Sequence, residues 1–134
     1  MRVLIVDDSA EVADFLVESA RLFEAEQVDR ASSGEEALAF ATRTTYDLIT
    51  LDIRMPGVTG LDILSVIRSL CPHAVIAIVS GYLADAVGSR SVESYADLLI
   101  SKPISLEKFK RLMALTVQLI EVRKQIRELG DGAK

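Results

Sequence analysis

Short runs of β-branched and aliphatic residues alternate with amphipathic segments along the whole chain. This alternation is typical of βαβ units that share a parallel sheet and is unlike the pattern of hairpins. The third run is apolar almost throughout, as expected for a central strand that is covered on both faces. The pattern predicts strands near residues 2–6, 27–31, 47–51, 75–80 and 97–101.

The amphipathic segments predict five helices. In the first, Asp8 and Glu11 have the spacing of a capping box, and the expected core face holds Val12, Phe15, Leu16 and Ser19. The fourth has the weakest pattern, because Gly88 and several serines lower its helix propensity. We expect the first helix over residues 9–24. The second should begin after Ser33, the third should end near Leu70, and the fourth should cover residues 83–93. The fifth should run from the N-cap Ser105 to about Leu129.

The last predicted helix carries two apolar stripes. One suits packing on the sheet and contains Leu106, Phe109, Met113, Val117 and Ile120. The other has the alternating spacing of three and four that is typical of a coiled-coil seam, and it contains Leu112, Leu115, Leu119, Val122, Ile126 and Leu129. We expect residues 119–129 to form a homodimeric coiled coil or a connection to an output module, the alternative being one broadly apolar helix with a frayed end. Residues 130–134 are expected to form a disordered tail.

Length and charge limit the classes of function. The chain has 134 residues, half of them hydrophobic, which suits one domain. Lys plus Arg number 15 against 20 Asp plus Glu, so there is no basic field for nucleic acid. No apolar stretch reaches the ~18 residues that a membrane-spanning helix needs. We therefore expect a cytoplasmic protein without direct nucleic-acid or membrane partners, in which the single cysteine, Cys71, serves packing.

Polar side chains follow four of the predicted strands. They are Asp7 and Asp8 after the first, Asp52 after the third, Ser80 at the end of the fourth and Lys102 after the fifth. In open parallel sheets, ligands bind in the crevice beyond the carboxyl ends of the strands. Three carboxylates so close together cannot all stay ionised without a cation. Mg²⁺, or Mn²⁺, suits such a site because it binds carboxylate, water and phosphate oxygens.

Four motifs occur in order along the chain: LIVDDS, ITLDIRMPGVTG, VSGY and ISKPIS. Together they resemble the receiver domain of bacterial response regulators, the CheY-like family, over about residues 1–118. The resemblance implies a doubly wound α/β fold of the flavodoxin type, (βα)5, with a parallel sheet in strand order 2-1-3-4-5. It also implies a two-component signalling domain, not an enzyme with a separate substrate. Its partners would be a sensor histidine kinase or phosphotransfer protein, and a downstream protein or an output domain outside this sequence.

The resemblance assigns roles to the acidic residues. Asp52 is the expected phosphoacceptor. Asp8, Asp52 and the backbone carbonyl of Arg54 are expected to bind Mg²⁺ directly, while Asp7 acts through metal-bound water. The Arg54 side chain is expected to project over the mouth of the crevice and to tune hydrolysis of the aspartyl phosphate.

The resemblance also assigns the neutral and basic positions. Lys102 is expected to pair with one phosphoryl oxygen, next to a cis bond to Pro103, and Ser80 to donate its hydroxyl to another. Many receivers have an aromatic residue three positions before the lysine, where this chain has Leu99, so the resemblance does not extend to the usual aromatic switch. Tyr82 is expected to carry part of that signal or to shield the phosphoryl group from water.

Three other functions share the nucleophile or the fold. A phosphatase of the haloacid-dehalogenase type has its nucleophile after the first strand and a second Asp two residues on, whereas Asp7 and Asp8 are adjacent. A degenerate receiver would bind partners without being phosphorylated. A flavodoxin-like cofactor binder is disfavoured because carboxylates after the first strand would repel a flavin phosphate. Two residues also have plain structural alternatives, Asp8 as a helix cap and Ser80 as a turn residue.

Overall fold

Five parallel strands form the central sheet in the order β2-β1-β3-β4-β5. The computed structural model of the chain describes residues 1–23 and 25–132. The strands are β1 (Arg2–Val6), β2 (Gln27–Ala31), β3 (Leu48–Leu51), β4 (Val75–Ser80) and β5 (Leu98–Ser101). This confirms the predicted doubly wound α/β fold and its strand order. The winding reverses at β1 and β3, which is where such sheets open a crevice at the carboxyl ends of their strands.

Five α-helices cover the two faces of the sheet, namely α1 (Ala10–Leu22), α2 (Gly34–Arg43), α3 (Gly60–Leu70), α4 (Arg90–Tyr95) and α5 (Leu106–Glu128). Apolar side chains of α1 and α5 share one core cluster, and those of α2, α3 and α4 share the other. Strand β3 contributes to both clusters, with Leu48 on the first face and Ile49 on the second. Its four buried residues explain why its sequence is apolar without alternation.

Helix α1 begins one residue later than its capping pattern predicted. Ser9, not Asp8, is the N-cap, because the Ser9 hydroxyl accepts the amide hydrogen of Val12. Two of the four predicted core residues are buried, but Phe15 is 40% exposed. The predicted end, Glu24, lies outside the described residues. The buried side chains of α1 are Ala13, Leu16, Val17, Ser19 and Ala20.

The segment after β4 is not the continuous helix that was predicted over residues 83–93. It contains a 3₁₀ turn, Leu83–Asp85, and then the short helix α4, which begins after the N-cap Ser89. Between them Gly88 has a φ of +79°, in the left-handed region. A right-handed helix cannot continue through that backbone conformation, so the glycine separates the two pieces.

Helix α5 begins after the predicted N-cap, Ser105, and has 23 residues. Its buried side chains are Phe109, Leu112, Met113 and Thr116. Leu112 was predicted for the coiled-coil stripe but packs in the core. Leu106 and Val117 were predicted to pack on the sheet but are about half exposed. The core-facing stripe is therefore rotated from the predicted one, and the remaining outer stripe begins at Leu115.

The second half of α5 is largely exposed. Val122, Ile126 and Leu129 are 49%, 61% and 83% exposed. Arg123 ties this half to the domain by donating to the main-chain oxygen of His73. Of the predicted tail, residues 130–132 are exposed and residues 133–134 lie outside the described residues. The predicted dimer or linker role of residues 119–129 stays a prediction.

Two expectations from composition can be compared with the described residues. Cys71 is fully buried, in agreement with a packing role. Over residues 1–23 and 25–132, none of the helices combines the length and the apolar character that a bilayer crossing requires.

Candidate phosphoacceptor site

Three carboxylates meet beyond the carboxyl ends of β1 and β3. Asp7 and Asp52 follow these neighbouring strands and are only 2% and 5% exposed, while Asp8 is exposed. One carboxylate oxygen from each of the three lies within 4.8 Å of the others. The predicted clustering of Asp7, Asp8 and Asp52 is therefore correct. Three hard oxygen donors at this separation fit a divalent cation of the Mg²⁺ type.

The ammonium group of Lys102 bridges the two buried carboxylates. Its Nζ lies 2.8 Å from Asp7 Oδ2 and 3.0 Å from Asp52 Oδ2. Lys102 follows β5, so its side chain reaches across the end of β4 to arrive there. The Lys102–Pro103 peptide is cis, as the resemblance implied. Neither contact with a carboxylate was predicted, because Lys102 was expected to pair with a phosphoryl oxygen.

Burial changes the proton affinity of this cluster. It is the main reason why the pKa of Asp52 is raised, and the charge of Asp7 raises it further, against the opposing effect of Lys102. Burial alone would lower the pKa of Lys102, but its bonds to Asp7 and Asp52 together outweigh burial, so that pKa is raised. Lys102 therefore stays protonated at neutral pH. Asp52 is a carboxylate whose ionised form is disfavoured, and such a group gains free energy when a cation or an electrophile neutralises it.

Ser80 ends β4, the strand between those that carry Asp52 and Lys102. Its side chain is fully buried, and its Oγ accepts the amide hydrogen of Tyr82 at 3.0 Å. A serine hydroxyl that accepts one hydrogen bond still has its own hydrogen to donate. The turn alternative for Ser80 is therefore present in the structure, and it leaves the predicted donor function open.

Arg54, Tyr82 and Asp85 form a cluster that we call the Arg54 clamp. The Arg54 Nε lies 2.7 Å from Asp85 Oδ2, and its guanidinium carbon lies 3.7 Å from the centre of the Tyr82 ring. The bond from Arg54 lowers the pKa of Asp85. Arg54 and Tyr82 were predicted site residues, whereas Asp85 was not, since an isolated acid in a loop carries no signal of its partner. The clamp joins the loop after β3 to the turn after β4.

Leu99 lies on the edge strand β5, half-buried against the core cluster of α2, α3 and α4. It pairs in register with Ile78 of β4. The position that is aromatic in many receivers is therefore filled here by an aliphatic side chain that packs against this core.

The backbone of Asp52 is held by the start of α3. A Cβ built on Gly60 would lie 2.0 Å from the carbonyl oxygen of Asp52, and the Gly60 amide donates to Ile53 O at 3.0 Å. Thr59 and Asp62 cap this helix reciprocally. This close approach was not predicted, because its one signal in the sequence was a glycine at the start of an apolar helix.

Comparison with known proteins identifies the family. Residues 3–114 match the model of the response regulator receiver domain. The probable transcriptional regulatory protein TcrX of Mycobacterium tuberculosis is 34% identical over 116 residues, which cover 84% of this chain and 48% of that protein. This chain spans about half the length of the first curated relatives that it matches.

Solved structures agree. The response regulator TrrA of Thermotoga maritima, in complex with Mg²⁺ and BeF, is 32% identical, with a TM-score of 0.73, over 86% of this chain and 97% of that one. A response regulator from Burkholderia pseudomallei, with a phosphorylated aspartic acid and a calcium ion, is 27% identical, with a TM-score of 0.74, over 99% of this chain and 76% of that one.

Proposed function

This chain belongs to the response regulator receiver family, and from that premise we propose that Asp52 accepts a phosphoryl group from a sensor histidine kinase or a phosphotransfer protein. One observation carries the proposal: the buried Asp52 carboxylate lies beside two further carboxylates and the Lys102 ammonium at the crevice of the sheet. The phosphorylated aspartic acid named for the Burkholderia pseudomallei relative supports it. The chain is thus a signalling domain whose only chemistry is its own phosphorylation and dephosphorylation.

In the proposed transfer, a carboxylate oxygen of Asp52 attacks phosphorus. The new O–P bond forms as the P–N bond to the donor histidine breaks, and the electron pair of that bond stays on the imidazole nitrogen. Lys102 is already within bonding distance of the Asp52 carboxylate, so it can follow the charge onto a phosphoryl oxygen. Ser80 would donate its O–H to another phosphoryl oxygen. Positioning and charge neutralisation supply most of the catalysis of such transfers.

We further propose that Asp8, Asp52 and the carbonyl oxygen of Arg54 hold Mg²⁺, or Mn²⁺, with Asp7 in contact through water. Three clustered carboxylates face one ammonium group, and this excess of negative charge supports a divalent cation. When bound, the ion neutralises charge on the phosphoryl oxygens. Asp7 remains bonded to Lys102 and to the amide of Ser9, which fixes the position of its carboxylate.

Intact mass measurement tests the acceptor. The chain is incubated with acetyl phosphate and Mg²⁺, and its mass is compared with those of Asp52→Asn and of a sample treated with a chelator. We expect one added phosphoryl group in the native chain alone. An equal gain in Asp52→Asn would move the acceptor elsewhere. No gain in the native chain would favour the degenerate receiver, which binds partners without being phosphorylated.

Four residues are proposed to set the lifetime and the signal of the phosphorylated state. Ser80 would follow the phosphoryl group, Tyr82 would carry part of the change or shield the group from water, and Arg54 would tune hydrolysis. Leu99 cannot make the inward swing of an aromatic residue, so the signal is proposed to leave through the turn after β4. The signal is proposed to act on a downstream protein or on an output domain outside this sequence.

We also propose that residues 1–118 form the receiver unit and that residues 119–129 form a homodimeric coiled coil. The seam is Leu115, Leu119, Val122, Ile126 and Leu129, at spacings of four and three. A connection to an output module is the alternative use of the same seam. A cytoplasmic location without direct nucleic-acid or membrane partners stays a prediction from composition.

Light scattering after size exclusion tests the dimer. We expect the native chain to be a dimer, and both the chain that ends at Thr116 and the variant Ile126→Glu to be monomers. Lys124→Glu is the control, because it places a glutamate on the same turn outside the seam and changes the net charge by more than Ile126→Glu does. A monomeric native chain, or a truncated chain that stays dimeric, would contradict the helix-mediated dimer.

A further inference from the structure

The guanidinium group nearest in sequence to the proposed phosphoacceptor is bonded to a carboxylate outside the Asp7, Asp8 and Asp52 cluster. Arg54 follows Asp52 by two residues, yet its partners are Asp85, at 2.7 Å and 3.4 Å, and the ring of Tyr82. The positive charge that lies in the crevice itself belongs to Lys102. The resting protein thus holds a second cation at the edge of an acidic site, on a carboxylate outside that site.

Phosphorylation would make the crevice a more favourable position for the Arg54 guanidinium than Asp85 is. The three clustered carboxylates already outnumber the Lys102 ammonium, and an aspartyl phosphate would add further negative charge to the same place. Arginine binds phosphate through two parallel hydrogen bonds, which are stronger than those of neutral groups. A phosphoryl group on Asp52 is therefore a better partner for Arg54 than an exposed carboxylate is.

The clamp is weak enough to be exchanged. The Arg54 and Asp85 side chains are 55% and 36% exposed, and exposed ion pairs change an equilibrium by about fivefold at most. Stacking on the half-exposed Tyr82 adds a factor of similar size. Neither contact is comparable to a buried pair, so one strong new anion can compete with both.

We propose that Asp85 is a positioning residue that holds Arg54 away from Asp52 in the resting protein and releases it to the phosphoryl group after phosphorylation. This inference rests on the proposed phosphoacceptor function and names how that site is regulated. The release of Arg54 would also signal phosphorylation without an aromatic side chain at the position of Leu99. When Arg54 leaves, Tyr82 and the 3₁₀ turn Leu83–Asp85 lose their tie to the loop after β3.

Beryllofluoride with Mg²⁺ is the probe, because it mimics a phosphoryl group on a carboxylate without being hydrolysed. Its affinity is measured by ¹⁹F NMR titration of the full chain. We expect Asp85→Asn to bind it about two- to fivefold more tightly than the native chain, since the competitor for Arg54 has lost its charge. Asp85→Glu should restore the native affinity. In an Arg54→Gln background, Asp85→Asn should change nothing.

Asp14→Asn is the matched control. It removes one exposed carboxylate from another arginine pair, with Arg30, and so changes the net charge equally. A tightening equal to that of Asp85→Asn would mean that only net charge matters and would overturn the inference. Unchanged affinity in Asp85→Asn, or a tightening that persists without Arg54, would overturn it too.

Amide hydrogen exchange over residues 82–89 gives a second readout. We expect beryllofluoride to speed exchange there in the native chain, and Asp85→Asn to speed it without the probe. Protection that is the same in every sample would contradict release of the turn. If the native chain bound no beryllofluoride at all, the phosphoacceptor proposal itself would be wrong. If the native chain binds it and the affinity does not depend on Asp85, only the inference about the Arg54 clamp is wrong.

Discussion

Replacement of Gly60 by alanine tests whether the start of α3 fixes the backbone of Asp52, the proposed acceptor. The new Cβ would lie 2.0 Å from the carbonyl oxygen of Asp52 and 3.2 Å from the Cα of Ile53, whereas ordinary van der Waals contact begins at 3.4 Å. Both neighbours are backbone atoms, so no rotamer change can relieve the contact. Either α3 or the loop that carries Asp52 must move, and the bond from the Gly60 amide to Ile53 O must lengthen.

Overpacking of this kind costs about 1–3 kcal/mol of folding free energy, and a displacement of ~1 Å at a reacting group can cost about 100-fold in rate. We therefore expect Gly60→Ala to lower the midpoint of urea unfolding and to slow phosphorylation by acetyl phosphate by about 10- to 100-fold. Gly81→Ala is the matched control, since it lies directly after Ser80 and its Cβ would meet nothing within 4 Å. A Gly60→Ala protein with native stability and native phosphorylation rate would refute the reasoning.

Three further changes test the charges and hydrogen bonds. Lys102→Met leaves the Asp7 and Asp52 carboxylates without their ammonium group, so it should lower the free energy of unfolding in urea by about 1–3 kcal/mol. The loss should be smaller in the presence of Mg²⁺, and an equal loss would contradict metal binding at this cluster. Because burial raises the pKa of Asp52, ionisation of this carboxyl group lowers the stability of the fold as pH rises through that pKa. Asp52→Asn should therefore melt about 2–6 °C higher than the native chain at neutral pH in the presence of a chelator. A lower melting point would contradict this. Tyr46→Phe loses a 2.6 Å hydrogen bond to Asp29 and should lower the free energy of unfolding in urea by about 1–2 kcal/mol. Because burial raises the pKa of Tyr46, the stability of the native chain should fall as pH rises above 10.0, and that of the variant should fall less.

The fold could be predicted because its signals are local and repeated. Apolar runs such as Leu48–Leu51 are buried on both faces, and their bounds agree with the structure to within one residue. The start of α5 was equally clear, because the side chain of Ser105 accepts the amide hydrogen of Lys108. In these segments the local preference and the tertiary environment favour the same structure.

The errors occurred where several local signals competed. Asp8 and Ser9 are both good caps, and the pattern favoured the wrong one; Asp8 instead joins the carboxylate cluster. After β4, helix propensity predicted one helix, but the left-handed backbone of Gly88 divides the segment. In α5 the apolar residues exceed what one face can bury, so periodicity alone could not decide that Leu112, and not Val117, faces the core.

For the site, the sequence predicted which side chains would meet in the crevice and missed the neighbours that hold them. Asp7, Asp52 and Lys102 each follow an apolar run, so a parallel sheet must bring them to one edge. The partner of Arg54 was missed because Asp85 is 31 residues away in sequence, and a pair between two loops leaves no periodic trace.

The same physical cause links the stability of this crevice to its reactivity. Burial keeps Asp52 dry and makes its ionised form unfavourable, and Lys102 offsets only part of that effect because it is shared with Asp7. A carboxylate in this state is stabilised by whatever neutralises it, such as a proton or a divalent cation. Full compensation by a second ammonium would remove that gain and make the fold more stable. The exposed position of Arg54 therefore suits the proposed regulation, because a cation that Asp85 holds outside the carboxylate cluster leaves the charge of Asp52 incompletely compensated until new negative charge arrives.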